Sequence, residues 1–138
     1  MIKSLNSNLF FLILLLFTFY GCEKIANETD PSKIILGKWE IIQIGNGNNL
    51  ETVENPFGYI KYCPDSVKIE YASDTKEYCY IKYWIDSLLH ECIYLDEEHR
   101  YVLHFCYKYE FFDKNKKMRL DFACGIAEYS TCILQRIK

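Results

Sequence analysis

The chain has little of what marks most functional classes. Three prolines and six glycines in 138 residues leave no material for a proline-rich spacer or a glycine-rich low-complexity tract, and no internal repeat is visible. No Gly-x-Ser-x-Gly, His-Glu-x-x-His or glycine-rich phosphate loop occurs, so the common hydrolase, zinc-protease and nucleotide signatures are absent. No two cysteines stand as Cys-x-x-Cys, which removes a thioredoxin-like redox site and a zinc ribbon. A net charge of −3 without a basic cluster argues against a nucleic-acid partner. Only three histidines are present. His90 and Cys92 share one face of a strand, with His99 or His104 nearby, while Glu91 points the other way. Solvated histidines are commoner than metal ligands at such spacing, and Asp96-Glu97-Glu98 reads as a solvated turn. No catalytic residue, metal ligand or cofactor is assigned, and the chain reads as non-enzymatic.

What is present begins with a short apolar run, Leu9 to Tyr20, preceded by Lys3 and closed by Gly21-Cys22. The run is shorter than the roughly 20 residues a membrane-spanning helix needs, and about the length of a signal-peptide core. A small residue followed at once by cysteine resembles the lipobox of bacterial lipoproteins. That resemblance implies cleavage after Gly21 and acylation (palmitate) of Cys22. It places the protein in the cell envelope, anchored by lipid to the outer rather than the inner membrane, with the periplasmic or surface side left open. The chain then divides into a signal peptide over 1–21, a flexible polar tether over 22–33, and one β-barrel domain over 34–138.

Setting Cys22 aside leaves Cys63, Cys79, Cys92, Cys106, Cys124 and Cys132. An even set in a small exported domain reads as disulfides, with 15 connectivities open to six cysteines. The domain itself reads as short strands without a helical period. Tyr59–Tyr62 and Val67–Tyr71 flank the turn Cys63-Pro64-Asp65-Ser66, which sets Tyr62 opposite Val67 and Ile60 opposite Ile69. Tyr101–Phe111 alternates most clearly, with odd-numbered side chains apolar or aromatic. Turning at Lys114–Lys117 sets Phe111 opposite Leu120 and Tyr109 opposite Phe122. That register puts Cys106 and Cys124 on opposite faces and excludes their bridge. Cys124 with Cys132, across a loop centred near Glu128, and Cys79 with Cys92, across Asp86-Ser87, are the candidate pairs. About eight strands joined by tight hairpins predict an all-β antiparallel meander closing into a small barrel.

Gly37-Lys38-Trp39 at the start of the first strand resembles the Gly-x-Trp of lipocalins. Together with Cys22, the tether and the closing Gln135-Arg136-Ile137-Lys138, it is similar to the short lipocalin-like lipoproteins of Bacteroidetes-type bacteria. The resemblance implies a lipocalin-like barrel closed at its base by Arg136 packed over Trp39, a cation–π contact of about 1 kcal/mol. Two readings of function stand open. In one, the interior binds a small apolar or aromatic molecule, with Trp39, Phe105, Tyr107, Tyr109 and Phe122 as candidate lining. In the other, those rings fill the barrel and the protein is an envelope interaction module. A void of about 300 Å³ or more, open at one end, favours the first.

Overall fold

The computed structural model describes residues 24–56, 58–71, 74–94, 102–125 and 128–138, with the backbone alone at 70, 71 and 74–80. Residues 1–23, Cys22 and the apolar run among them, lie outside the described residues. Among the described residues no helix is long and apolar enough to cross a membrane.

A four-residue helix, α1 (Pro31–Ile34), precedes nine strands: β1 (Gly37–Asn46), β2 (Asn49–Thr52), β3 (Gly58–Tyr62), β4 (Val67–Tyr71), β5 (Asp74–Ile85), β6 (Leu89–Tyr94), β7 (Val102–Phe112), β8 (Lys117–Cys124) and β9 (Thr131–Ile137). All pairings are antiparallel. Apart from β2, successive strands pair in order, and β1 returns to pair with β9. The result is the closed eight-stranded meander barrel that the strand count predicts. Closure removes the exposed edges that an open sheet of this size would leave.

The ninth strand is an addition. One edge of β1 is shared, with Gly37 to Glu40 against β3 and Gln43 to Asn46 against β2. The pentapeptide Gly45-Asn46-Gly47-Asn48-Asn49, which reads as a strand terminator, is instead a two-residue hairpin with Gly47 at φ +63°. The strand it leads into carries one apolar side chain, Leu50, and is otherwise exposed. No hydrophobic alternation announces it.

The β3–β4 hairpin has the expected register, Tyr62 opposite Val67 and Ile60 opposite Ile69. The β7–β8 hairpin does not. Its turn is Asp113 to Lys116, with Asp113, Lys114 and Asn115 all at positive φ, so Phe111 faces Met118 and Tyr109 faces Leu120. The pairing differs from expectation by two residues. Because strand side chains alternate with a period of two, the faces of Tyr107 to Phe111 and of Met118 to Phe122 are as expected.

The core gathers at the end of the barrel that α1 covers. Ile35, Trp39, Tyr62, Val67, Ile81, Leu89, Met118, Leu120 and Leu134 are buried there in one cluster. Part of the segment read as a tether is folded: Pro31 to Lys33 lie in α1, and Asp30 caps that helix by accepting from the Ser32 amide at 3.0 Å. Further back, Asn115 Nδ2 donates to the carbonyls of Ile25 (2.8 Å) and Glu28 (2.9 Å).

Candidate functional site

The base of the barrel is set by Trp39. Its ring is fully buried and its Nε1 donates to the Ile35 carbonyl at 2.7 Å. The Arg136 guanidinium carbon lies 4.4 Å from the ring centroid. Arg136 also donates from Nη1 to the Leu36 carbonyl at 2.6 Å and from Nη2 to the Ile34 carbonyl. These carbonyls belong to the stretch that leaves α1 and enters β1, so one side chain ties the last strand to the first. Gly37 makes room for it: its φ is +123°, and a Cβ there would stand 2.7 Å from Arg136 Nη1. Only glycine serves both needs.

The opposite end is hollow. A cavity of about 510 Å³ is lined by Ile41, Ile44, Tyr107, Leu120, Phe122, Glu128, Tyr129, Ser130, Thr131 and Cys132. A bulge in β1, between Ile41 and Gln43, keeps both Ile41 and Ile44 facing inward. The wall beside the opening is braced. Arg119 holds Asp121 through Nε at 2.8 Å and Nη2 at 2.9 Å, and Thr131 Oγ1 donates to Asp121 at 2.7 Å. The Arg119 hydrogen bonds, with that from Thr131, hold the Asp121 carboxyl below its ordinary range. Arg119 Nη2 reaches the Gly47 carbonyl at 3.0 Å, and Ser130 bonds both Asn46 and Gly47. The β1–β2 hairpin and the segment entering β9 are thereby fixed around the mouth.

Of the five candidate lining residues, Tyr107 and Phe122 meet at the cavity, edge to face with centroids 5.7 Å apart. Phe105 packs behind Phe122 at 6.3 Å. Tyr109 turns away, packing on Phe111 and donating to the Asp86 carbonyl at 2.9 Å. Trp39 belongs to the base and is not part of this lining.

An inward-facing, half-buried carboxyl group escapes the search for motifs. Glu91 on β6 has the same parity as Leu89 and Ile93, and so faces the interior. The Tyr62 hydroxyl donates to its Oε1 at 2.7 Å. Burial raises its pKa, only partly offset by that hydrogen bond. Burial and the nearby Glu91 charge in turn raise the Tyr62 and Tyr107 hydroxyls. They also push the Cys132 thiol up to about 12. The interior thus holds a polar group, Glu91, Tyr62, Tyr107 and Cys132, of which the last two line the cavity. Its sequence signal is a charge at a core-facing position of a strand.

The cysteine pairing differs from expectation. Cys106 is bonded to Cys124, with Cα atoms 5.0 Å apart, the bridge that a regular register excludes. An irregularity between Cys106 and Tyr107 supplies the missing step: Tyr107 faces Phe122 while Cys106 faces Cys124, so Ala123 is the unmatched residue. The Cys124–Cys132 pairing is overturned. The β8–β9 connection is longer than a five-residue loop, Cys132 stands opposite Leu120, and its thiol is free. Cys79–Cys92 is not formed either: Cys92 is opposite Lys82 and carries a free thiol, and the Cys79 side chain lies outside the described residues. Cys63 is also free.

Comparison with protein-family models and with curated proteins finds no match. Function therefore rests on the chemistry of the barrel itself.

Proposed function

We propose that this is a non-enzymatic, lipid-anchored envelope protein whose lipocalin-like barrel binds a small apolar or aromatic molecule. The observation that carries the ligand reading is the cavity of about 510 Å³ above a filled base. It falls within the roughly 300–1,000 Å³ of small-molecule sites, and its wall of aliphatic and aromatic side chains with a few polar atoms is typical of them. Ile41, Ile44, Leu120 and Phe122 supply the apolar contact, and the hydroxyls of Tyr107 and Tyr129 supply directional contacts. The anchor rests on the apolar run and Gly21-Cys22.

The full chain titrated with N-phenyl-1-naphthylamine, a neutral apolar dye, is expected to show saturable fluorescence enhancement. Ile44→Trp, which adds a ring at the cavity wall, should weaken it about tenfold. Native mass spectrometry of protein from its own cells should find a retained small molecule. If no dye binds and nothing is carried, the ligand reading falls and the interaction-module reading replaces it. Labelled palmitate should be incorporated by the wild type and not by Cys22→Ser. Equal labelling of both would remove the anchor.

A further inference from the structure

On the outer wall of the barrel three rings are stacked. Trp84 of β5 lies 4.6 Å from His90 of β6 with an interplanar angle of 7°, and 5.5 Å from His104 of β7 at 23°. The two imidazoles are themselves 5.3 Å apart at 22°. The strand register explains the meeting. Trp84, His90 and Cys106 stand opposite one another in one row, and Lys82, Cys92 and His104 in the next, so all six share one face. His90 and His104 are diagonal neighbours across that ladder, within reach of long side chains.

Their nitrogens converge. His90 Nδ1 and His104 Nε2 are 3.1 Å apart. The other nitrogen of His90, Nε2, is 3.2 Å from Asp86 Oδ1. That oxygen also accepts from the Leu88 amide at 2.9 Å, which fixes the carboxylate in the β5–β6 turn. Two imidazole nitrogens at about 2.0–2.1 Å from one ion and 3.1 Å from each other subtend an angle of about 100°, between square and tetrahedral. As the rings stand, the two nitrogens face each other as a hydrogen-bonded pair, and binding one ion replaces that bond and turns each lone pair by about 40° to a point beside the line joining them. A carboxylate on the far nitrogen of a ligating histidine is the usual outer partner of such a ligand, setting its tautomer and orientation. Two cations share this face, Lys108 further along β7 and Lys82, which lies over the Tyr94 ring at 5.8 Å.

We propose that His90 and His104 form a two-histidine site for a divalent transition-metal ion. Among the described residues no three His, Cys, Asp or Glu side chains are arranged to hold a metal. The ion therefore keeps water or an external ligand in its remaining positions. Imidazole donors select zinc, nickel and copper over magnesium or calcium.

Trp84 makes the site readable. It is 45 % exposed and stacked on both ligands, whereas the other tryptophan, Trp39, is sealed in the base. Ni²⁺ titrated into the full chain should quench Trp84 saturably at one equivalent, and Zn²⁺ should reverse the quenching by displacement. His90→Gln and His104→Gln should each weaken binding by tenfold or more, and Asp86→Asn by about tenfold. Trp84→Phe should abolish the quenching but keep one equivalent of Zn²⁺ by calorimetry. Circular dichroism and thermal melting establish that each variant is folded, which these outward-facing positions permit. Unsaturated quenching up to millimolar Ni²⁺, or unchanged affinity in both histidine variants, overturns the proposal. So does loss of binding in Cys92→Ser alone.

Discussion

Arg136 stacks on Trp39 while donating to the carbonyls of Ile34 and Leu36, so the last strand, the first strand and α1 meet in one side chain. Removing it deletes a stacked cation and leaves carbonyl groups of the α1–β1 junction without their charged donor. Arg136→Ala should cost about 2–4 kcal/mol, read as a lowered urea midpoint with an unchanged slope. Lysine cannot reproduce the planar fork, so Arg136→Lys should recover little of the loss.

The neighbouring glycine is expected to be as sensitive. Gly37→Ala places a methyl group at 2.7 Å from Arg136 Nη1 and forces a residue with a Cβ to φ +123°. A loss of about 2 kcal/mol is expected, while Gly47→Ala, with nothing within 4 Å of its Cβ, should cost less. Parallel thermal melts rank the two.

For the Cys106–Cys124 bridge, the closed loop spans 18 residues, and its removal should destabilise by about 3 kcal/mol on loop-entropy grounds. Peptide mapping without reductant should find these two cysteines joined. Cys132, whose thiol is pushed up to about 12 by burial and the Glu91 charge, should resist alkylation at pH 8 until the protein unfolds. A mapped Cys124–Cys132 peptide would contradict the fold.

Glu91 should impose a pH dependence of known sign. Its carboxyl is raised above the ordinary 4.5 by burial, so the folded protein holds this proton to higher pH than the unfolded chain does. The stability this confers is complete below 4.5 and is lost as pH rises through the folded value. Each tenfold difference in proton affinity corresponds to about 1.4 kcal/mol. Glu91→Gln, which keeps an oxygen for the Tyr62 hydroxyl, should therefore stabilise the protein at pH 7 more than at pH 4. Denaturant melts at the two pH values test this, and an equal effect at both would show that Glu91 is not buried as a charge.

Much of the fold was legible because it depends on local alternation. The hairpin register around Pro64 follows from two apolar faces that must agree. The cysteines were not legible. Their pairing turns on one unmatched residue, Ala123, and a bulge leaves no mark in an alternation that is correct on both sides of it. The polar strand β2 was missed because it buries almost nothing. The alternation sets Glu91 on the face opposite His90 and Cys92, and a carboxylate among the apolar side chains of that face is itself the signal.

By itself the sequence determined the fold class and, where the strands are regular, which side chains turn inward, since a period of two and a set of tight turns leave few alternatives to a closed meander. That Arg136 packs over Trp39 was implied by the resemblance to lipocalins and not by any pattern in the chain. Only the tertiary structure decided that one end of the barrel is filled and the other hollow. It alone also decided that Cys106 meets Cys124 and that His90 and His104 converge. Those outcomes depend on bulges, loop lengths and diagonal contacts between strands, which are distances in space that no pattern along the chain encodes.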